Sequence, residues 1–298
     1  MSACWRCGPR SSSARRVSAA DFTEFGAAVD RVQVGVVADI HCGPDRDVLP
    51  GSRTPMLLDR FIAAMRDARP ACIVDLGDRI NSVAAGQDGV RERYVRRRLE
   101  DAGVPVYHVL GNTDVEHLPK HDALAAVKKG WAAELIDLGP LRLVLLDTVD
   151  PAVDVSGVPG RGSAGGSMGA AQIDWLRAVL AERAAPCLVF GHHPLDEPAL
   201  DGHHYFAASP PLAAVRNRAE VRAVLEGAPA VTAVFSGHLH WTRAAQINGI
   251  PYVTIGSLVD TAYTGGEPAG AYALVTAGAG ALEVGVFGRA PAEFTFPR

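Results

Sequence analysis

Five short stretches of this chain concentrate aspartate, asparagine and histidine behind apolar runs. They are ADIHCG with Asp39 and His41, LGDRIN with Asp78, LGNTD with Asn112, FGHHP with His192 and His193, and SGHLH with His238 and His240. Imidazole nitrogens suit manganese, iron and zinc, and carboxylate or amide oxygens suit harder ions. Two such side chains at i and i+2 on an extended segment point the same way, which suits Asp39 with His41, and His238 with His240, to shared coordination. A preceding glycine lets the backbone turn sharply at that point. A lone histidine or aspartate behind a strand ordinarily serves as a loop residue or a helix cap. Five such clusters behind five strands point instead to one metal site.

The elements that must position these groups are legible as alternating strands and helices. RVQVGVVAD reads as a strand, TPMLLDRFIAAMRDARP as a helix with Leu57, Leu58, Phe61, Ile62 and Met65 on one face, and ACIVDLGD as a second strand. A charged helix over Gly89–Ala102 and the strand VPVYHVLGN complete a βαβαβ pattern, the mark of an α/β sheet. LRLVLLDT and APCLVFGHHP read as strands on either side of a helix over Ala170–Arg183, and the loop Asp150–Met168 as a long Gly/Ser/Pro-rich surface connector that could serve as a lid. After a helix over Leu212–Glu226 come AVTAVFSG, TRAAQING, PYVTIGS, AYALVTAG and LEVGVFG, short strands that suggest a second, largely antiparallel sheet, with Asn248-Gly249 as a hairpin turn. The carboxyl ends of strands in an α/β sheet open onto one crevice, so the five clusters can meet there.

Composition narrows the partners. Of 298 residues 48% are hydrophobic, enough for one large core. The net charge of -4 gives no general attraction to nucleic acid or anionic lipid, so neither is expected as a partner. No apolar stretch is long enough for a membrane span. Five cysteines are too few and too scattered for a disulfide framework, and Cys4-x-x-Cys7 lacks a second metal-binding pair, which together suggest a reducing cytoplasm. Residues 1–30 read as a disordered tail and 31–298 as one domain, with a homodimer compatible with that domain.

The order D-x-H, G-D, G-N-x-D, G-H-H-P, G-H-x-H resembles the calcineurin-like metallophosphoesterases over residues 34–288. Within them, PVYHVLGN, LDT and NGIPYVTIGSLVD followed by AYALV are similar to the branch of bacterial cyclic-nucleotide phosphodiesterases and manganese-dependent ADP-ribose/CDP-alcohol diphosphatases. The resemblance implies an α/β fold, a four-layer α/β/β/α sandwich of two mixed sheets flanked by helices. It implies one ion on Asp39, His41, Asp78 and His240 and a second on Asp78, Asn112, His192 and His238, with Asp78 bridging. The cofactor expectation is thus two divalent metal ions, Mn2+ and/or iron, with Zn2+ an alternative. A hydroxide bridging them would attack phosphorus in line.

The expected substrate is a small-molecule phosphate ester, taken as a nucleotide-like phosphodiester or pyrophosphate. The alternatives are a phosphomonoesterase and a non-catalytic metal-binding scaffold. The residues expected to act in catalysis are Asp78, Asn112, Thr113, Asp114 and His193, with Arg79, Asn81, His203 and His204 as substrate contacts. One departure stands out: where such proteins commonly carry histidine, this chain has Thr113, whose hydroxyl is a poor general acid. Either His193 or His117 replaces it, or the leaving group is a phosphate or nucleotide that needs little protonation.

Overall fold

Val32–Val37 (β1), Cys72–Asp75 (β2) and Val106–His108 (β3) lie parallel, with Thr54–Ala68 (α1) and Ala85–Glu100 (α2) as the crossovers. The structure is a computed structural model that describes residues 31–150, 165–182 and 185–297. The N-terminal segment 1–30, expected as a tail, and positions 151–164 of the glycine-rich loop, expected as a connector or lid, lie outside the described residues. The chain continues through Lys120–Ala126 (α3), Glu134–Asp137 (β4), Arg142–Leu145 (β5), Ala170–Ala181 (α4), Cys187–Phe190 (β6) and Arg218–Glu226 (α5). Six strands follow: Val231–Ser236 (β7), Arg243–Ile247 (β8), Ile250–Thr254 (β9), Tyr272–Ala277 (β10), Ala281–Phe287 (β11) and Ala292–Pro297 (β12).

Two mixed sheets result, ordered β12-β11-β10-β1-β2-β3 and β4-β5-β6-β7-β9-β8. The expected separate C-terminal antiparallel sheet is therefore corrected. β10 pairs antiparallel to β1, and β11 and β12 extend that sheet, whereas β9 pairs parallel to β7 and carries β8 on its far edge. The C-terminal strands share short alternating patterns, and those patterns hold no information on which edge each strand joins. Asn248 and Gly249 both take positive φ, 49° and 83°, as a two-residue turn between β8 and β9 requires.

The layers follow from which face of each strand is apolar. Val34, Val36 and Val74 of one sheet meet Leu143, Leu145, Phe190 and Phe235 of the other in the central core, where the Phe190 and Phe235 rings stack at 5.1 Å. The outer face of the first sheet is covered by α1 and α2 through Leu58, Phe61, Met65, Val95 and Leu99. The second is covered by α4 and α5 through Ile173, Leu176, Leu180, Val221 and Leu225. Each such side chain stabilises the layer by roughly 1.5–3 kcal/mol on burial. The architecture is the four-layer α/β/β/α sandwich. The helix expected over 212–226 begins only at Arg218, because Pro210–Leu212 forms a tight 3-10 turn and the Leu212 carbonyl is turned toward His238. Among the described residues, no helix is long and apolar enough to cross a membrane.

Candidate metal centre

Every parallel strand delivers a polar loop to the same end of the sandwich: β1, β2 and β3 from one sheet, β5, β6, β7 and β9 from the other. The ends are not extended, which corrects the picture of paired side chains on a straight segment. Asp39, His41, Asp78, His238 and His240 all take left-handed backbone angles, with φ of 50°, 46°, 53°, 66° and 60°. Such a conformation costs roughly 1–2 kcal/mol per residue, and packing of the surrounding loops must over-determine it. The intervening Ile40 and Leu239 are fully buried and anchor the turns. Close approach needs glycine at two places. A Cβ on Gly111 would lie 2.2 Å from Asp78 Oδ1, and one on Gly237 would lie 2.7 Å from Asp39 Oδ2.

The side chains converge in two groups. His41 Nε2 lies 3.2 Å from His240 Nε2 and 3.8 Å from Asp78 Oδ2, and His240 Nε2 lies 3.5 Å from Asp39 Oδ1. In the second group His192 Nε2 lies 3.2 Å from His238 Nδ1, 3.1 Å from Asn112 Oδ1 and 3.5 Å from Asp78 Oδ1. The two oxygens of Asp78 thus face one group each. His238 and His240 diverge, one into each group, as Asp39 and His41 do not.

The far nitrogens decide what faces inward. His192 Nδ1 lies 2.9 Å from the Leu76 carbonyl and His238 Nε2 3.0 Å from the Leu212 carbonyl, and a carbonyl can only accept. Each ring must therefore carry its proton outward and turn a lone pair inward. His192 Nε2, His238 Nδ1, Asn112 Oδ1 and Asp78 Oδ1 are then four acceptors packed around one point, an arrangement that repels itself without a cation. His240 donates through Nδ1 to Asp260 Oδ2 at 2.7 Å, so its Nε2 also faces inward. The buried His41 Nδ1 has no hydrogen-bond partner among the described residues. This donor set fits two divalent ions of the manganese, iron or zinc type.

Electrostatics keep His41 and His238 neutral, whereas His240 holds a second proton that a bound cation would have to displace. Burial, with the His240 charge added, pushes the His41 imidazole down to about 3. Burial and the neighbouring His193 and His192 hold His238 well below the usual range. Burial would lower His240 too, but Asp39 and Asp260 outweigh it and raise that ring to about 10. Burial raises the Asp78 carboxyl to about 6, opposed by His192 and reinforced by Asp114 and Asp39.

The model of the calcineurin-like phosphoesterase family matches residues 32–242, which include all seven converging side chains. The chain belongs to that family. A cAMP/cGMP dual-specificity phosphodiesterase of Mycobacterium tuberculosis is 31% identical over 198 residues, which are 66% of this chain and 56% of that protein. A dimetal phosphatase from Danio rerio superposes with a TM-score of 0.71 at 20% identity, covering 89% of this chain and 98% of that one. An inner-membrane-complex anchor of Plasmodium superposes with a TM-score of 0.54 at 13% identity, covering 90% of each chain. At these identities the two solved structures share the fold.

Several of the expected substrate contacts lie elsewhere. Arg79 is fully buried and does not face the cleft. Its guanidinium sits 2.9 Å from Asp75 Oδ2, 2.5 Å from Glu92 Oε2 and 2.9 Å from Asp114 Oδ2, and donates to the Val109 carbonyl at 2.7 Å. Asn81 is spent on the Pro44 carbonyl, holding the loop after His41. His203 is buried, its Nε2 donating to the Leu239 carbonyl at 2.9 Å and its Nδ1 accepting from the N–H groups of Tyr205 and Phe206. His204 is exposed and pairs with Asp47. His193 stands against the second group, 4.3 Å from the His238 ring centroid, with Nδ1 2.8 Å from Thr148 Oγ1. His117 lies 2.8 Å from Ser82 Oγ through its Nδ1.

Asp114 has a different task from orienting an imidazole. Its carboxylate accepts from the backbone N–H groups of Asp78, Arg79 and Gly111 at 3.1, 2.8 and 2.8 Å, tying the β2 and β3 loops together. Thr113 donates its N–H to Asp78 Oδ1 at 2.8 Å, and its buried hydroxyl has no partner among the described residues. Sequence reading missed Asp260, although GSLVD places it behind β9 in the same way that the other clusters follow their strands.

Proposed function

We propose that this chain is a dinuclear metal phosphohydrolase that cleaves a nucleotide-like phosphodiester or pyrophosphate. Asp39, His41, Asp78 and His240 would hold one ion, and Asp78, Asn112, His192 and His238 the other, with manganese, iron or zinc as the metals. The observation that carries this reading is the inward convergence of acceptors in the second group, where the His192 and His238 protons are committed outward on the Leu76 and Leu212 carbonyls. When bound, such a pair of ions supplies Lewis-acid charge and an activated water for in-line displacement at phosphorus.

The chain's own residues divide the remaining work. Asp78 presents one oxygen to each group and is held in that pose by the Thr113 N–H and by the Asp114 carboxylate beneath its own N–H. Asn112 faces His192 with its amide oxygen and so turns its amide nitrogen to the other side, available to a phosphoryl oxygen. The Thr113 hydroxyl is buried and cannot protonate a basic alkoxide at useful rates. That residue favours a phosphate or nucleotide leaving group, whereas the mycobacterial relative's name points to cyclic nucleotides.

The deciding experiment reconstitutes the chain with Mn2+ and compares cyclic AMP, bis(4-nitrophenyl) phosphate, a CDP-alcohol, ADP-ribose and sugar phosphates. Metal content near two per chain with diesterase or diphosphatase activity, both lost in His238→Ala and Asp78→Ala, is expected. A chain that binds no metal and hydrolyses none of these would refute the reading, and activity confined to sugar phosphates would refute the substrate class.

A further inference from the structure

Asp260 stands on the loop after β9, outside the five stretches that carry the converging side chains. It is buried, and its Oδ2 accepts from His240 Nδ1 at 2.7 Å and from the Tyr205 hydroxyl at 3.0 Å. Its Oδ1 accepts from the Ala262 N–H at 2.6 Å. The loop is fastened in turn to the first cation site. Ser257 Oγ accepts from the N–H groups of Val259 and Asp260 at 3.2 and 3.1 Å and donates to the Asp39 carbonyl at 2.8 Å. Tyr205 lies edge-on to the His240 ring, with centroids 5.1 Å apart at 76°.

The four imidazoles of the two groups are held in unequal ways. His192 and His238 donate to neutral carbonyls, and the far nitrogen of His41 has no partner among the described residues. His240 alone donates to a carboxylate. A carboxylate behind a ligating imidazole fixes the tautomer and ring orientation and makes the inward nitrogen a stronger donor to a cation. That asymmetry is directed at one site, because His240 faces Asp39 and His41 and takes no part in the second group.

We propose that Asp260 is a positioning residue that sets the cation affinity of the first site, Asp39, His41, Asp78 and His240, while leaving the second site to the carbonyl-held histidines. The inference rests on the dinuclear reading above. Through Tyr205 the same carboxylate also fastens the segment that carries His203 and His204, so its charge is shared between one imidazole and one hydroxyl.

The test is calorimetric titration of the metal-free, full-length chain with Mn2+, with thermal unfolding of each metal-free variant as the check on folding. Two binding events are expected for the unaltered chain. Asp260→Asn, which keeps an acceptor and removes the charge, should weaken one event about 10-fold, and Asp260→Ala about 100-fold, with the other event unchanged. Tyr205→Phe preserves the Asp260–His240 bond and should leave both events at their original affinities. If Asp260→Ala fails to fold, Asp260→Asn alone decides. Unchanged affinities in a folded Asp260→Asn chain overturn the inference, as does an equal loss at both sites or a loss of the same size in Tyr205→Phe. Absence of two binding events in the unaltered chain instead refutes the dinuclear reading on which it rests.

Discussion

Replacing Arg79 by methionine should destabilise the protein more than it impairs substrate binding, and the magnitude follows from the charges left behind. The guanidinium is fully buried and is the cation facing Asp75, Glu92 and Asp114. Burial and the adjacent Asp114 raise the Glu92 carboxyl, against the lowering pull of Arg79. Asp75 is ionised: burial opposes this, but Arg79 and the His108 N–H outweigh it and hold the carboxyl below its usual range. Removal of the cation therefore strands buried negative charge, at a cost of about 3–5 kcal/mol. At about 2 °C per kcal/mol for a chain of this size, the midpoint of thermal unfolding should fall by roughly 6–10 °C.

The pH dependence supplies a second readout. A carboxyl whose folded pKa lies below its unfolded value contributes stability above the unfolded value, about 3.9, and loses it as pH falls through the folded one. In Arg79→Met that advantage of Asp75 is gone, so the gap between parent and variant should be full near neutrality and narrow as pH falls below about 3.9. The assay is urea unfolding followed by tryptophan fluorescence at several pH values, on metal-free protein. A variant that loses less than about 1 kcal/mol and instead raises KM severalfold would show Arg79 working on substrate, and the buried-cluster account would be refuted.

Three further outcomes are expected. Gly111→Ala should abolish Mn2+ binding in a folded chain, read by calorimetry, since the new methyl group would sit 2.2 Å from Asp78 Oδ1. Thr113→His should raise turnover of diesters with basic alkoxide leaving groups by about 100-fold while leaving 4-nitrophenolate release nearly unchanged, the signature of a restored general acid in steady-state kinetics. His203→Ala should lower stability by about 2–3 kcal/mol in urea unfolding, because two backbone N–H groups and the Leu239 carbonyl lose buried partners, while exposed His204→Ala should cost under about 0.5 kcal/mol.

The residues that converge were legible because chemistry imposes their types: Asp39, His41, Asp78, Asn112, His192, His238 and His240 each follow an apolar run, and the carboxyl ends of parallel strands share one edge. Their conformation was not legible, since alternation along a strand says nothing of the left-handed turns that begin one or two residues beyond it. Arg79 could not be placed from its neighbour Asp78, because its partners Asp75, Glu92 and Asp114 come from separate elements. Asp260 escaped because a single acidic residue behind a strand has no local partner to mark it. The strands β4 and β12 were missed at the ends of their sheets, where only part of each strand is buried and the apolar signal is thin.

Both groups of inward-facing acceptors draw on both sheets: Asp39, His41, Asp78 and Asn112 follow strands of one, His192, His238 and His240 follow strands of the other. A cation seated there would work as a clasp across the rim of the sandwich at the carboxyl ends of its parallel strands. Chelation should unfasten one end of the molecule only, and amide exchange should quicken at the tips of β1, β2, β6 and β7 while the far ends of the same strands keep their protection.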